Sequence, residues 1–308
     1  MTYFIDLRAQ SKGFGPVPNA DSVVIRQDTE PNPAPDLTRQ RDQELAAAVQ
    51  GRDVLVATHG FHVDRDRGMA YLTNWRRFLS LPDNGFFVGA LWPGDSSWLP
   101  FIDYPGEGRE SIQSGKILAT YLSNWFKGVN SISFASHSLG ARMVLETVRG
   151  LTQGSNPDLK VTRLILMAGA IDDTCLTQEY SDAAGKVEKI SVLASSCDDV
   201  LKWAFPGGNL LAGVLTRGTP YWHGALGRYG PYPANQPQSL WQTPNIPDDW
   251  KFGHHNYINF DIQVVPPQKE SAKFPPPVIV PPQGSPEPSP DINWQQAFAA
   301  GFASTRFK

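Results

Sequence analysis

Short apolar runs and longer stretches of helical period take turns along the first two-thirds of this chain, and few folds accept a chain written that way. Tyr3 to Leu7 and Val23 to Arg26 read as strands. Asp36 stands where it would cap a helix running through Leu45 and Val49 to a stop at Gly51. Asp53 to Thr58 is nearly continuous apolar sequence, as a central parallel strand buried on both faces requires. Met69, Leu72, Trp75 and Leu79 recur at helical spacing before Pro82 and Gly85. Phe86 to Trp92 reads as a buried strand, and Ile112, Leu118, Leu122 and Trp125 as one face of the next helix. Ser131 to Ser136 runs straight into a helix carrying Met143, Val144, Val148 and Leu151 on one side; Arg163 to Ala170 and Lys189 to Ala194 are two further strands. At least five strand-then-helix units predict an α/β fold: a doubly wound, mostly parallel sheet with helices on both faces. Right-handed crossovers then gather the loops after the strands' carboxyl ends along one edge, where such sheets carry their sites.

The remainder is of different texture. Residues 206–250 are rich in Gly, Pro, Trp and Tyr without a clear period, which suits a functional loop region or a cover over a pocket. Ten prolines between Pro266 and Pro290 keep that stretch out of any sheet interior and favour an extended, polyproline-like path. Ile292, Trp294, Phe298 and Phe302 would anchor a short terminal helix. The organisation expected is one domain over residues 1–265 and a proline-rich extension over 266–308. Lys and Arg number 27 against 30 Asp and Glu, a net charge of -3, without the clustered basic excess that neutralises phosphates, so nucleic acid is not an expected partner. Two cysteines, Cys175 and Cys197, form no disulfide framework for a chain of 308 residues. The start, Met-Thr-Tyr-Phe-Ile-Asp-Leu-Arg, has no signal-peptide pattern, and the most apolar run, Leu164 to Ile171, is far short of the ~20 residues of a spanning helix. The expectation is a cytoplasmic protein with no integral membrane segment.

Ile132 to Gly140 is the most informative stretch. A strand, a tight turn and a helix meet at Ser138, the arrangement that lifts a serine hydroxyl clear of a sheet beside a helix N-terminus. Small residues must flank it two positions away on either side; Gly140 and Ser136 do, Ser136 in the place of the usual glycine. An ordinary helix cap would use the same serine, but the neighbours favour chemistry. The strand before His59-Gly60-Phe61 ends where an oxyanion loop belongs, and the main-chain N–H groups of Phe61 and Leu139 are the two expected donors. A serine nucleophile needs a base held by an acid, in the chain order serine, acid, histidine. Asp198, with Asp199 as the alternative, follows a later strand, and Asp172 and Asp173 are less suited substitutes. Three of the six histidines lie beyond Asp199; His223 sits in a Trp-His-Gly turn, and of His254 and His255 the second is preferred as base. No Cys-x-x-Cys or His-Glu-x-x-His occurs, no Gly-x-Gly-x-x-Gly follows a strand, and the His59 and His62 pair lacks companion ligands, so neither a metal nor any other cofactor is expected.

These motifs, with Ala-Leu-Trp-Pro at 90–93 and Arg163 to Ala168, resemble the α/β-hydrolases over roughly residues 50–260, and most closely a poorly characterised bacterial branch of them. The resemblance implies an acid in a Ser-x-x-Asp-x-x-Leu stretch, matched by Ser195, Asp198 and Leu201, and a base in His-x-Tyr, matched by His255 and Tyr257. It implies an α/β-hydrolase sheet and a serine hydrolase of small-molecule or lipid-like carboxylic esters, carboxylesterase before lipase or thioesterase, using Ser138, Asp198 and His255. A non-catalytic binding protein on the same fold is the alternative. Trp98 to Tyr104, Trp203, Phe205, Leu210, Leu211 and Val214 are expected either to wall an acyl pocket or to pack as satellite core.

Overall fold

In a computed structural model the chain is described over residues 2–8, 23–28, 38–61, 63–79, 81–94, 104–153, 159–202, 224–233, 241–242, 246, 248 and 251–257. Among these residues eight strands form one sheet: β1 (Tyr3–Asp6), β2 (Val24–Gln27), β3 (Asp53–Thr58), β4 (Gly85–Leu91), β5 (Ser131–His137), β6 (Val161–Met167), β7 (Lys189–Leu193) and β8 (Trp241–Gln242). Their order is β2-β1-β4-β3-β5-β6-β7-β8. Only the β1–β2 pair is antiparallel; every other pairing is parallel. Helices α1 (Thr38–Val49), α2 (Arg65–Phe78), α3 (Tyr104–Trp125) and α4 (Gly140–Gln153) connect the strands, and two single-turn helices, α5 (Ser181–Ala184) and α6 (Leu226–Tyr229), follow. The α/β-hydrolase sheet expected from the sequence is the fold found.

Burial explains why the strands read as apolar runs. All seven residues of β6 are buried, as are five of the six in β3, because helices cover both faces. The helix between β3 and β4 has a clear local origin: the Asp64 carboxylate accepts the Arg67 N–H at 2.8 Å, Asp66 lies in its first turn and Arg76 and Arg77 in its last, so both ends are capped or charged in the sense of the helix dipole. Helix α4 buries Met143, Val144, Leu145, Val148 and Leu151 and runs against α3. Asp36, the proposed cap of the first helix, lies outside the described residues, as do the proline-rich tail, the terminal-helix anchors and the proposed pocket residues Trp98, Trp203, Phe205, Leu210, Leu211 and Val214.

Strand order places the site. The chain goes from β3 outward to β4, then returns to the opposite side of β3 for β5 and continues outward to β6, β7 and β8. The reversal lies between β3 and β5, paired from Asp53↔Ser131 to Thr58↔Ser136. Loops leaving neighbouring strands in opposite directions open a crevice at such a switch point, and here these are the loops at His59–Phe61 and Ser138–Leu139.

Candidate active site

Ser138 follows the last residue of β5 with φ +52°, a left-handed backbone rare for a residue with a side chain. The turn is held on both sides: the Ser138 N–H donates to the Met167 carbonyl at 3.0 Å, and the Ser138 carbonyl accepts the N–H groups of Ala141 and Ala170, each at 3.1 Å. Such strain persists where the surroundings over-determine it. The small residue at Gly140 has a specific reason: a Cβ there would stand 2.5 Å from the His59 carbonyl oxygen, so the first turn of α4 packs directly on the end of β3.

The Ser138 hydroxyl donates to Nε2 of His254 at 2.9 Å, and Nδ1–H of His254 donates to Oδ2 of Asp198 at 2.8 Å. Asp198 is fully buried, and its other oxygen accepts the Leu201 N–H at 2.9 Å. Its carbonyl accepts from Arg228 Nη1 at 2.6 Å, which ties the acid-bearing turn to α6. Ser138 and His254 are themselves 6% and 7% exposed, so their hydrogen bonds are sheltered from competing water.

His255, preferred from the sequence, is not the imidazole at Ser138. The structure corrects it to the alternative, His254. The chain turns through 254–257 with Phe252 and Tyr257 buried as anchors, and the ring of Tyr257 stands edge-on to Phe252 at 4.8 Å. His254, two residues from Phe252, shares its inward direction, whereas His255 is exposed, its ring centroid 5.4 Å from that of His254. The sequence offered no signal between the two, since His255 stands at the same spacing from the buried Tyr257 as His254 from the buried Phe252. Asp198 is the carboxylate bonded to His254, and Asp199 is exposed. Asp172 instead accepts the Thr174 N–H, and Asp173 the Gly224 N–H, each stabilising a loop. His223 lies outside the described residues.

Of the two expected oxyanion donors, Leu139 directly follows Ser138, and Phe61 follows Gly60, whose backbone packs close to the serine. Leu139 is buried, and among the described residues no acceptor engages its N–H. Phe61 is half-buried against the core and follows Gly60, where a Cβ would meet Ser138 Cβ at 2.8 Å. Two residues quoted in the motifs without a role of their own, His59 and Trp92, hold this loop. His59 is buried, with Nδ1–H donating to the Gly60 carbonyl at 2.9 Å and Nε2 accepting a long 3.4 Å contact from the Trp92 N–H. Desolvation pushes its pKa down to about 3 and keeps the ring neutral. The buried Trp92 stacks on His59 at 5.8 Å and donates Nε1–H to the His59 carbonyl at 3.0 Å. Arg8 fastens the flanks, donating to the carbonyls of Val63 and Trp92. Among the described residues, no three His, Cys, Asp or Glu side chains are grouped to hold a metal ion, and no helix is long and apolar enough to cross a membrane.

A buried hydroxyl, an imidazole and a carboxylate in a continuous hydrogen-bonded series can perform acyl transfer by a covalent intermediate. Comparison with known proteins bears on the family. The family described as "Alpha/beta hydrolase of unknown function (DUF900)" matches residues 38–209, more than half of the chain. No curated protein matches the sequence. Among solved structures, an uncharacterized protein from Bacillus cereus ATCC 10987 is similar at 15% identity and a TM-score of 0.37, over 71% of this chain and 62% of that one. The chain thus spans less than two-thirds of that protein's length. A cutinase-like protein from Cryptococcus sp. is similar at 14% identity and a TM-score of 0.25, over 46% of this chain and 77% of that one.

Proposed function

We propose that this chain, which belongs to the DUF900 family of α/β hydrolases, is a serine hydrolase of carboxylic esters, with carboxylesterase activity ahead of lipase or thioesterase activity. The observation that carries the reading is the uninterrupted series Ser138–His254–Asp198, at 2.9 and 2.8 Å, on a serine whose backbone is strained.

In this reading His254 Nε2 takes the Ser138 proton as Oγ adds to the ester carbonyl. Asp198, accepting the Nδ1–H, fixes the tautomer and stabilises the imidazolium that forms. The carbonyl oxygen becomes an oxyanion facing the main-chain N–H groups of Leu139 and Phe61. Such donors act more strongly on the developing charge than on the ground-state carbonyl, and each is typically worth ~3–4 kcal/mol. Collapse of the tetrahedral intermediate breaks the ester C–O bond, and His254 returns its proton to the departing alkoxide. Water then repeats the sequence on the acyl-serine, with His254 as base, releasing the acid and restoring the hydroxyl.

The test is incubation of the full chain with a fluorophosphonate, followed by peptide mass mapping. Phosphonylation of Ser138, abolished in Ser138→Ala, is the expected result. Complete inertness would overturn the reading and leave a binding protein on the hydrolase fold. A panel of aryl esters of increasing acyl length would then set carboxylesterase against lipase preference.

A further inference from the structure

The base sits on an irregular loop. Residues 251–257 contain no strand or helix; Phe252 and Tyr257 bury their side chains, and two bonds inside the loop, Asn256 N–H to the Gly253 carbonyl and Gly253 N–H to Asn256 Oδ1, shape it locally, but none of these ties its main chain to the sheet. The ring bonds of His254 are the contacts that must be aimed, so the loop's main chain needs its own anchor if the ring is to be held in advance of reaction.

That anchor comes from the residue before the nucleophile. His137 Nε2 lies 2.7 Å from the main-chain carbonyl of His254, across 117 residues of sequence. A carbonyl only accepts, so Nε2 carries the proton and donates. The ring is buried, its centroid 4.8 Å from that of His254. Gly60, on the oxyanion loop, keeps close to the same ring: a Cβ there would stand 3.0 Å from His137 Nδ1. Nucleophile turn, oxyanion loop and base loop therefore meet around one imidazole. Desolvation and the neighbouring histidines hold its pKa well below the usual range, so it adds no second positive charge beside His254 when that ring is protonated.

We propose that His137 is a positioning residue for the base: its Nε2–H, bonded to the His254 carbonyl, sets the height and tilt of the His254 ring between Ser138 and Asp198. The inference rests on the serine-hydrolase reading and adds to it a residue that touches neither substrate nor the reacting proton.

The test compares His137→Gln, whose side-chain amide offers an N–H at similar reach, with His137→Met, of similar length and without a donor, in the full chain. Readouts are the fluorophosphonate labelling rate at Ser138, kcat and KM on a short aryl ester, and the low-field proton resonance of the His254 Nδ1–H bonded to Asp198. The expected result for His137→Met is a fall in kcat and labelling rate of about 10- to 100-fold with KM little changed and the resonance broadened or lost, since small misplacements of reacting groups have effects of that size. His137→Gln should recover most of the rate and the resonance. Should His137→Met fail to fold, His137→Gln decides: the resonance retained supports the anchor, and its loss overturns it. Wild-type labelling rates in a folded His137→Met, or equal impairment of both variants, would overturn this inference alone. An inert wild type would remove the hydrolase reading beneath it.

Discussion

Two doubled positions, Asp198/Asp199 and His254/His255, give the residue scale its sharpest contrasts. On the proposed mechanism His254→Ala removes the base and should lower kcat by about 10⁶-fold, as deletion of a triad histidine does. His255→Ala removes an exposed ring that is not the one bonded to Ser138 and should leave kcat within about threefold, the size of an ordinary surface substitution. Asp198→Asn should lower kcat by about 10⁴-fold, because an amide favours the wrong imidazole tautomer, and Asp199→Asn should be close to neutral. Steady-state hydrolysis of a short aryl ester by all four variants checks the set; a wild-type rate in His254→Ala would remove the base assignment. Ser138 and Asp198 were legible because each lies in the turn that follows a strand, and a topology fixes what lies beyond a strand end. His254 was less legible, since its loop is too short for a period to establish which of two adjacent side chains turns inward. His137 was not legible at all: its role depends on a carbonyl 117 residues away, and no local pattern encodes that contact.

At the scale of elements, the ends of β3 and β4 act as one unit through His59 and Trp92. Trp92→Phe keeps an aromatic ring but loses half of the indole and with it the Nε1–H that meets the His59 carbonyl. Leaving a buried acceptor without its donor should destabilise the fold by about 1–3 kcal/mol, measured by urea unfolding. On the proposed reading kcat should fall with it while KM holds, as the oxyanion loop loses its brace. Gly60→Ala should act on activity more than on stability. Its Cβ would press on Ser138 Cβ at 2.8 Å, so either the nucleophile or the Phe61 amide must move, and loss of one oxyanion donor lowers kcat by about 10²- to 10³-fold. An unchanged kcat in Gly60→Ala would show that this loop takes no part in the reaction. Strands β1 to β7 and helices α1 to α4 were legible from the sequence, because parallel strands buried on both faces and helices buried on one have periods that differ plainly; β8 and the single-turn α5 and α6 were not, being too short to show a period. Edges drifted as well: α3 begins at Tyr104, ahead of the face marked by Ile112, and the last apolar residues after β6, Ala168 to Ile171, leave the strand early because Ala168 turns into φ +45°.

For the whole molecule, buried neutral histidines make stability depend on acid. His59 has a pKa of about 3 when folded against 6.5 for the free side chain. Above the upper value both states hold it neutral and it contributes no slope. Between the two, the unfolded chain binds a proton that the folded chain refuses, so stability falls as the pH drops, by about 1.4 kcal/mol per pH unit for one such group. His137 acts in the same direction. Urea midpoints of the full chain across that window should decline with acidity, and His59→Gln should decline less steeply; equal slopes would mean that His59 is protonated in the folded state. The wide spacing of the parts has a temporal side. Ser138 and His254 are 116 residues apart, and at about 5–20 residues per second synthesis delivers the hydroxyl roughly 6 to 23 seconds before the imidazole. On the proposed reading a nascent polypeptide spends that interval with a nucleophile that nothing can deprotonate, and it gains the power to cut esters only when the loop carrying His254 docks.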